Sequence, residues 1–88
     1  MLYPEWRAYV YPLTIVKDRY GGMYSGGLYL AFKLTPDGIP DQIWSTDMNC
    51  GHFWDLEDAG LLTITVGKGN TPDLAMFDLY EKLKAKEQ

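Results

Sequence analysis

The chain has 88 residues and a mass of 10.1 kDa, which predicts one domain spanning residues 1–88 with a single core. Hydrophobic residues make up 47% of it and aromatic residues 15%, a composition that excludes a disordered protein. The net charge of −4 argues against a general nucleic-acid binder, because neutralising phosphates requires clustered Lys and Arg. We expect no membrane span, no signal peptide and a cytoplasmic setting, since apolar runs are short and there is one cysteine.

The first predicted element is a β-hairpin with a glycine-rich tip. Residues 6–16 are rich in β-branched and aromatic types and predict a strand, in which Pro12 favours an edge or a bulge. Residues 28–34 alternate between apolar and polar and predict its partner strand. Between them, the glycine pairs at 21–22 and 26–27 predict a long, mobile hairpin tip.

A turn, a helix and a third strand are predicted next. Residues 35–40 have the Pro and Gly content of a turn. A helix is predicted from Met48 to Ala59, with Asp47 as its N-cap and Gly60 just past its end. Residues 61–66 alternate again and predict the third strand.

The last predicted element is a C-terminal helix with a clear start. Thr71 is its predicted N-cap, Pro72 occupies the first helical position, and Asp78 and Lys82 form a pair four residues apart. The order β-β-(α)-β-α predicts an α+β fold: a three-stranded antiparallel sheet with the C-terminal helix packed on one face. The predicted packing stripe of that helix is Ala75, Met76, Leu79, Tyr80 and Leu83.

Charge is distributed unevenly along the chain. Residues 35–60 contain six acidic and no basic side chains, whereas residues 1–34 carry a net charge of +2. One interpretation is a solvated surface, and the other is a face complementary to a basic partner protein. Tyr20 and Tyr24 in the hairpin tip are of a type favoured at interfaces. The acidic side chains assigned to partner binding are Asp37, Asp41, Asp47, Asp55, Glu57 and Asp58.

An alternative ligand is a nucleotide. In an oligomer, Lys17 and Arg19 beside the tip, together with Lys68 and Thr71, would contact phosphate, and a Tyr or Trp would stack on the base. Residues 67–71 precede the last helix but lack the full phosphate-loop pattern, so a plain capped turn is the other interpretation.

Cys50 and His52 are the residues with the chemistry for catalysis or metal binding, with Asp47 and Asp55 nearby. Catalysis requires a nucleophile, a base and an orienting group in contact, and one Cys with one His does not complete a tetrahedral metal site. We therefore expect that the protein is not an enzyme and holds no metal or cofactor. We interpret Cys50 as a thiol packed in the core and His52 as a histidine at the edge of the core.

The aromatic content exceeds what one small core needs. There are thirteen aromatic residues, and a three-stranded sheet with one helix is too small to bury all the larger ones. Some of them are expected at a homodimer contact or a ligand pocket. The residues concerned are Tyr3, Trp6, Tyr9, Tyr11, Trp44 and Trp54.

Residues 65–75, with the sequence Thr-Val-Gly-Lys-Gly-Asn-Thr-Pro-Asp-Leu-Ala and Leu79 after it, resemble the strand–Gly–Thr–helix passage of HicB-type antitoxin domains. An aliphatic strand followed by Asp18 and glycines resembles the opening hairpin of that family. The acidic residues 35–60 depart from its pattern, and the DNA-binding tail of many HicB proteins has no counterpart, so operator binding is not expected. The layout is also similar to small accessory proteins of phages and mobile elements, including inhibitors of host defence.

Both resemblances imply a non-enzymatic inhibitor that sequesters a partner. The expected function is therefore inhibition of a host nuclease, toxin or defence effector by protein–protein binding. The alternative is a sponge that sequesters a nucleotide signal of a bacterial defence system.

Overall fold

A computed structural model describes residues 10–87 of the chain. Its sheet contains β1 (Thr14–Lys17), β2 (Tyr29–Phe32) and β3 (Val66–Gly69) in the order β1-β2-β3, and both neighbouring pairs are antiparallel. The helices are α1 (Asp47–Asp58) and α2 (Pro72–Glu87). The predicted α+β fold, with the C-terminal helix α2 packed on one face of the sheet, is confirmed. Two 3-10 turns, Pro36–Gly38 and Asp41–Trp44, lead from β2 into α1.

The sheet separates two hydrophobic clusters, because alternate residues of a strand point to opposite faces. On β2, Leu30 and Phe32 belong to the cluster on the α1 side, while Ala31 belongs to the cluster on the α2 side. The α1 side also contains Ile39, Ile43, Cys50, Phe53, Trp54 and Val66. The α2 side also contains Val10, Ala75, Met76 and Leu79, with Tyr80 and Leu83 packed against them, as the helical stripe predicted.

The third strand is displaced from its predicted position. It was expected at residues 61–66 but runs from Val66 to Gly69. The prediction is therefore wrong, since the predicted and observed strands share Val66 alone. The reason is the close approach of α2. A Cβ on Gly67 would lie 2.2 Å from the carbonyl oxygen of Ala75, so only glycine permits this contact. Leu62 and Ile64, which suggested the strand, pack against the α1-side cluster from an irregular segment.

The ends of the helices follow capping chemistry. The predicted N-cap Asp47 is wrong by one residue: Thr46 is the cap, and its hydroxyl accepts from the Asn49 N–H at 3.4 Å. Gly60 has the positive φ of 75° that ends α1, as predicted. At α2 the predicted cap is confirmed, since the Thr71 hydroxyl accepts from the Leu74 N–H at 3.1 Å.

The outer edge of β3 is closed by two side chains of α2. Asp78 accepts a hydrogen bond from the Lys68 N–H at 2.9 Å, and Lys82 donates to the Val66 carbonyl at 2.8 Å. Asp78 and Lys82 are also paired with each other at 2.9 Å, as the sequence predicted. An edge strand with unpaired backbone groups is a template for another chain, and this pair occupies one N–H and one carbonyl of β3.

Removing both side chains should open that edge. We expect Asp78→Ala/Lys82→Ala to lose about 1–3 kcal/mol of unfolding free energy and to self-associate through β3. Size-exclusion chromatography with light scattering should show an apparent mass that rises with concentration. Glu81→Ala/Lys84→Ala removes one acid and one base from the exposed face of the same helix and should behave as the wild type. A monomeric Asp78→Ala/Lys82→Ala variant would contradict the edge-closing role.

Candidate functional site

The acidic residues of segment 35–60 form the outer surface of the α1 layer. Its inward positions are apolar: Ile39, Ile43 and Trp54 are buried against the sheet. The polar residues between them therefore point outward. No Lys or Arg occurs in this segment, and Arg19, a basic side chain in contact with its exposed part, donates to the Trp44 carbonyl. The exposed carboxylates, which we call the acidic face, are those of Asp37, Asp41, Asp47, Asp55 and Asp58.

Among the predicted partner-binding carboxylates, Glu57 forms an ion pair within the fold. Its partner is Lys68 of β3. The Lys68 ammonium also lies 4.9 Å from the centre of the Trp54 ring, within the range of a cation–π contact. Glu57 and Lys68 therefore tie α1 to the sheet instead of facing a partner or a phosphate.

An open groove runs along α1 within the acidic face. It consists of two adjoining depressions of about 520 Å³ and 370 Å³ that share Gln42 and Asn49. Asp41 and Ser45 line the smaller depression. The larger depression is further lined by His52, Phe53, Asp55 and Leu56. The groove thus has a carboxylate near each end and both polar and apolar walls.

Two large apolar side chains are exposed on α1, and one of them, Leu56, lines this groove. Met48 is 70% exposed and Leu56 is 45% exposed. They lie on one line of α1 with His52 between them, because residues four apart share a helix face. Trp44, on the turn before α1, is also exposed. Of the large aromatics expected at a contact, Tyr11 is exposed and Trp54 is buried, whereas Tyr3, Trp6 and Tyr9 fall outside the described residues.

The glycine-rich tip is folded around Asp18. This residue is only 3% exposed, and its carboxylate accepts hydrogen bonds from the Gly22 N–H and from the Ser25 hydroxyl, the latter at 3.2 Å. Its own N–H donates to the Leu28 carbonyl at 2.7 Å. The tip was predicted to be a long, mobile hairpin end, and these bonds close it on itself. Gly22, with φ of 90°, permits the turn that brings its N–H to Asp18.

Tyr20 and Tyr24 turn from the tip toward α1. The Tyr20 hydroxyl donates to the Ser45 carbonyl at 2.6 Å, and the two rings meet edge to face with centres 5.5 Å apart. Tyr24 packs against Gly51, where a Cβ would lie 3.6 Å from the ring. Burial, followed by the neighbouring Asp47 carboxylate, raises the pKa of both tyrosines. Both rings are half-buried and brace the acidic face from inside.

Within one chain, three of the four residues proposed for a nucleotide make other contacts. Arg19 donates to the Trp44 carbonyl and lies over the Tyr20 ring, at the tip. Lys68 is paired with Glu57, and Thr71 caps α2. Lys17 is exposed on β1. The Gly67–Thr71 passage is a close-packed strand-to-helix turn, since a Cβ on Gly69 would lie 2.5 Å from the Ala75 nitrogen.

Cys50 and His52 point to opposite sides of α1. Cys50 is fully buried and His52 is exposed in the groove, as residues two apart on a helix must be separated. Burial raises the pKa of the Cys50 thiol, and the charges of Asp18 and Asp47 add to this shift. The fold therefore separates the sulfur from the imidazole and keeps the sulfur protonated. Among residues 10–87, no group of three or more His, Cys, Asp or Glu is placed to hold a metal ion.

Sequence reasoning missed the groove and the role of Asp18. Gln42 and Asn49 line both depressions, yet neither has a spacing or partner in the sequence that marks it. Asp18 carried a weaker signal: it is an Asp beside a glycine-rich turn, where Asp side chains often bond to nearby backbone groups.

None of the helices between residues 10 and 87 combines the length and apolar character needed to cross a bilayer. Comparisons of the chain with protein-family models, with curated proteins and with solved structures find no match.

Proposed function

We propose that this chain is a non-enzymatic inhibitor that binds a basic surface of another protein through its acidic face. The observation that carries the proposal is the set of five exposed carboxylates on a segment without any Lys or Arg. Like charges brought together on one surface repel each other, and a cationic partner relieves that repulsion. Complementary charge also speeds encounter and selects the partner.

The way this surface is built supports recognition by shape as well as charge. It is braced from within by the Tyr20–Ser45 hydrogen bond and the Glu57–Lys68 ion pair, so its carboxylates are presented by an ordered framework. Preorganisation reduces the entropy lost on binding. Exposed Trp44 and Met48 beside the carboxylates supply the apolar contact area that charged patches lack.

The partner we propose is a bacterial nuclease, toxin or defence effector, and the setting is the cytoplasm of a bacterial or phage-infected cell. A nuclease or toxin that acts on nucleic acid needs a cationic surface for its phosphates. An acidic face of this kind competes for that surface, which would give inhibition without catalysis. The resemblance of residues 65–75 to HicB-type antitoxins favours the same class of function.

The test is a quantitative capture experiment with charge-reversed variants. Asp41→Lys/Asp55→Lys should release a basic protein that the immobilised wild type retains from a bacterial lysate, with at least a tenfold loss of signal. The activity of that protein, once purified, should be inhibited by the wild type and spared by the variant.

A matched control separates the acidic face from overall charge. Asp73→Lys/Glu81→Lys also changes the net charge from −4 to zero, but on exposed positions of α2. It should capture and inhibit like the wild type. Equal retention by both variants would show that the acidic face is not the binding surface and would defeat the proposal.

A further inference from the structure

We infer that the groove along α1 receives a basic amphipathic helix of the partner, with cationic side chains two helical turns apart. This inference rests on the proposed function and narrows it to one kind of binding element. Its evidence is the ridge of side chains on α1, the depression beside that ridge and the position of the carboxylates at the two ends.

The ridge consists of Met48, His52 and Leu56. Side chains spaced four residues apart form the row that fits between the rows of a second packed helix. The outward face of a helix in a lone globular protein is usually polar, whereas this one presents Met48 with 70% of its surface in solvent. Met is flexible and polarizable, and Met-rich faces adapt to apolar residues of bound helices.

A local structural role explains only part of this ridge. The Leu61 N–H donates to the Leu56 carbonyl at 2.8 Å just after Gly60, and an apolar contact between those two residues is typical of such a helix end. Leu56 therefore has a reason to be apolar within the fold. Met48 lies two turns away, at the start of α1, and a helix-end contact of this kind does not explain why it is apolar.

The lining of the groove indicates the length and charge of the partner helix that would fit it. This lining extends along α1 from Asn49 to Leu56, which at 1.5 Å per residue is about 10 Å, or two helical turns. Asp41 lies near one end and Asp55 near the other. On a partner helix, Lys or Arg at positions i and i+7 are also two turns apart, so this is the spacing we propose for the residues that pair with the two carboxylates. Apolar residues at i+3 and i+4 lie on the same face of such a helix and meet the apolar part of the lining, Phe53 and Leu56.

The probe is a fluorescently labelled alanine-based peptide of about 16 residues, long enough to form helix in water. It carries two Lys seven residues apart with two Leu between them on the same face. A second peptide has the same composition with the Leu residues on the opposite face, and a third has Glu in place of Lys. Anisotropy titrations of the full chain should show binding of the first peptide, at least tenfold weaker binding of the second and none of the third.

Protein variants locate the binding. Leu56→Ala should weaken the first peptide about tenfold. Leu74→Ala removes a side chain that is 54% exposed on α2 and should leave the affinity unchanged. Asp41→Asn/Asp55→Asn should weaken binding and flatten its dependence on salt. Equal affinity for the first two peptides, equal effects of the two Leu variants, or no binding below about 1 mM would overturn the inference.

The two proposals fail in different ways. If a captured basic protein is released by Asp41→Lys/Asp55→Lys but held equally well by Leu56→Ala and by the wild type, the acidic face binds without a helix in its groove. The proposed function then stands and the helix inference falls. If neither variant changes capture, both fall.

Discussion

Gly67→Ala should lower the thermal midpoint of unfolding by about 12–24 °C, which corresponds to about 3 kcal/mol for a domain of this size. The added Cβ would lie 2.2 Å from the Ala75 carbonyl oxygen and 2.5 Å from the Leu79 nitrogen. Both are backbone atoms of α2, so no side chain can rotate to make room. The helix must move off β3, and the α2-side cluster with it. Circular dichroism melts of the purified variant measure the shift.

Gly38→Ala is the matched control for this substitution. Gly38 lies in an exposed 3-10 turn, and its Cβ would be 3.5 Å from Leu34, an ordinary van der Waals contact. We expect a change of no more than about 0.5 kcal/mol. If Gly67→Ala melted within a few degrees of Gly38→Ala, the close contact between α2 and β3 would be refuted.

Asp18→Ala should destabilise the chain by about 2–4 kcal/mol, since hydrogen bonds to a charged acceptor contribute about 1.5–3 kcal/mol each. The substitution removes the acceptor of both the Gly22 N–H and the Ser25 hydroxyl in a site that is almost fully buried. The tip should open, and Tyr20 and Tyr24 should lose their fixed position under the acidic face. Denaturant unfolding gives the free energy, and amide hydrogen exchange of residues 20–27 reports the opening.

Asp18→Asn separates the hydrogen bonds from the charge. Its amide oxygen can still accept from both donors, so its loss should be smaller, about 1 kcal/mol. Ser25→Ala removes one of the two donors and should fall between the two Asp18 variants. Equal losses in Asp18→Ala and Asp18→Asn would assign the stabilisation to the charge. If Asp18→Ala lowered the free energy of unfolding by less than about 0.5 kcal/mol, Asp18 would not be the residue that holds the tip together.

Local chemistry predicted much of this fold. The cap of α2 at Thr71, the pair Asp78–Lys82 and the stop of α1 at Gly60 each depend on residues within four positions of each other, and all three are observed. The position of β3 depends on a long-range contact instead. In the sequence, Gly67 and Gly69 are typical of a loop. They form a strand here because α2 packs so closely that a side chain at either position would collide with it.

Some features of the candidate site were also predictable from local sequence, and others depend on long-range contacts. The negative charge of segment 35–60 follows from its composition. Asp41 and Asp55 are exposed because neighbouring apolar residues, such as Ile43 and Trp54, occupy the inward positions. The groove could not be predicted, because Gln42 and Asn49 come together only when the 3-10 turn packs beside α1. The inward direction of Tyr20 was equally hidden, since its partner Ser45 is 25 residues away.

The arrangement of segment 35–60 has an evolutionary consequence. Its inward residues, such as Ile43 and Trp54, maintain the core, while the neighbouring outward residues carry the charge. Selection for a different partner can therefore alter Asp41 or Asp55 without opposing selection for folding. A lineage under pressure from changing targets could exchange its recognition surface repeatedly while the sheet and both helices stay the same.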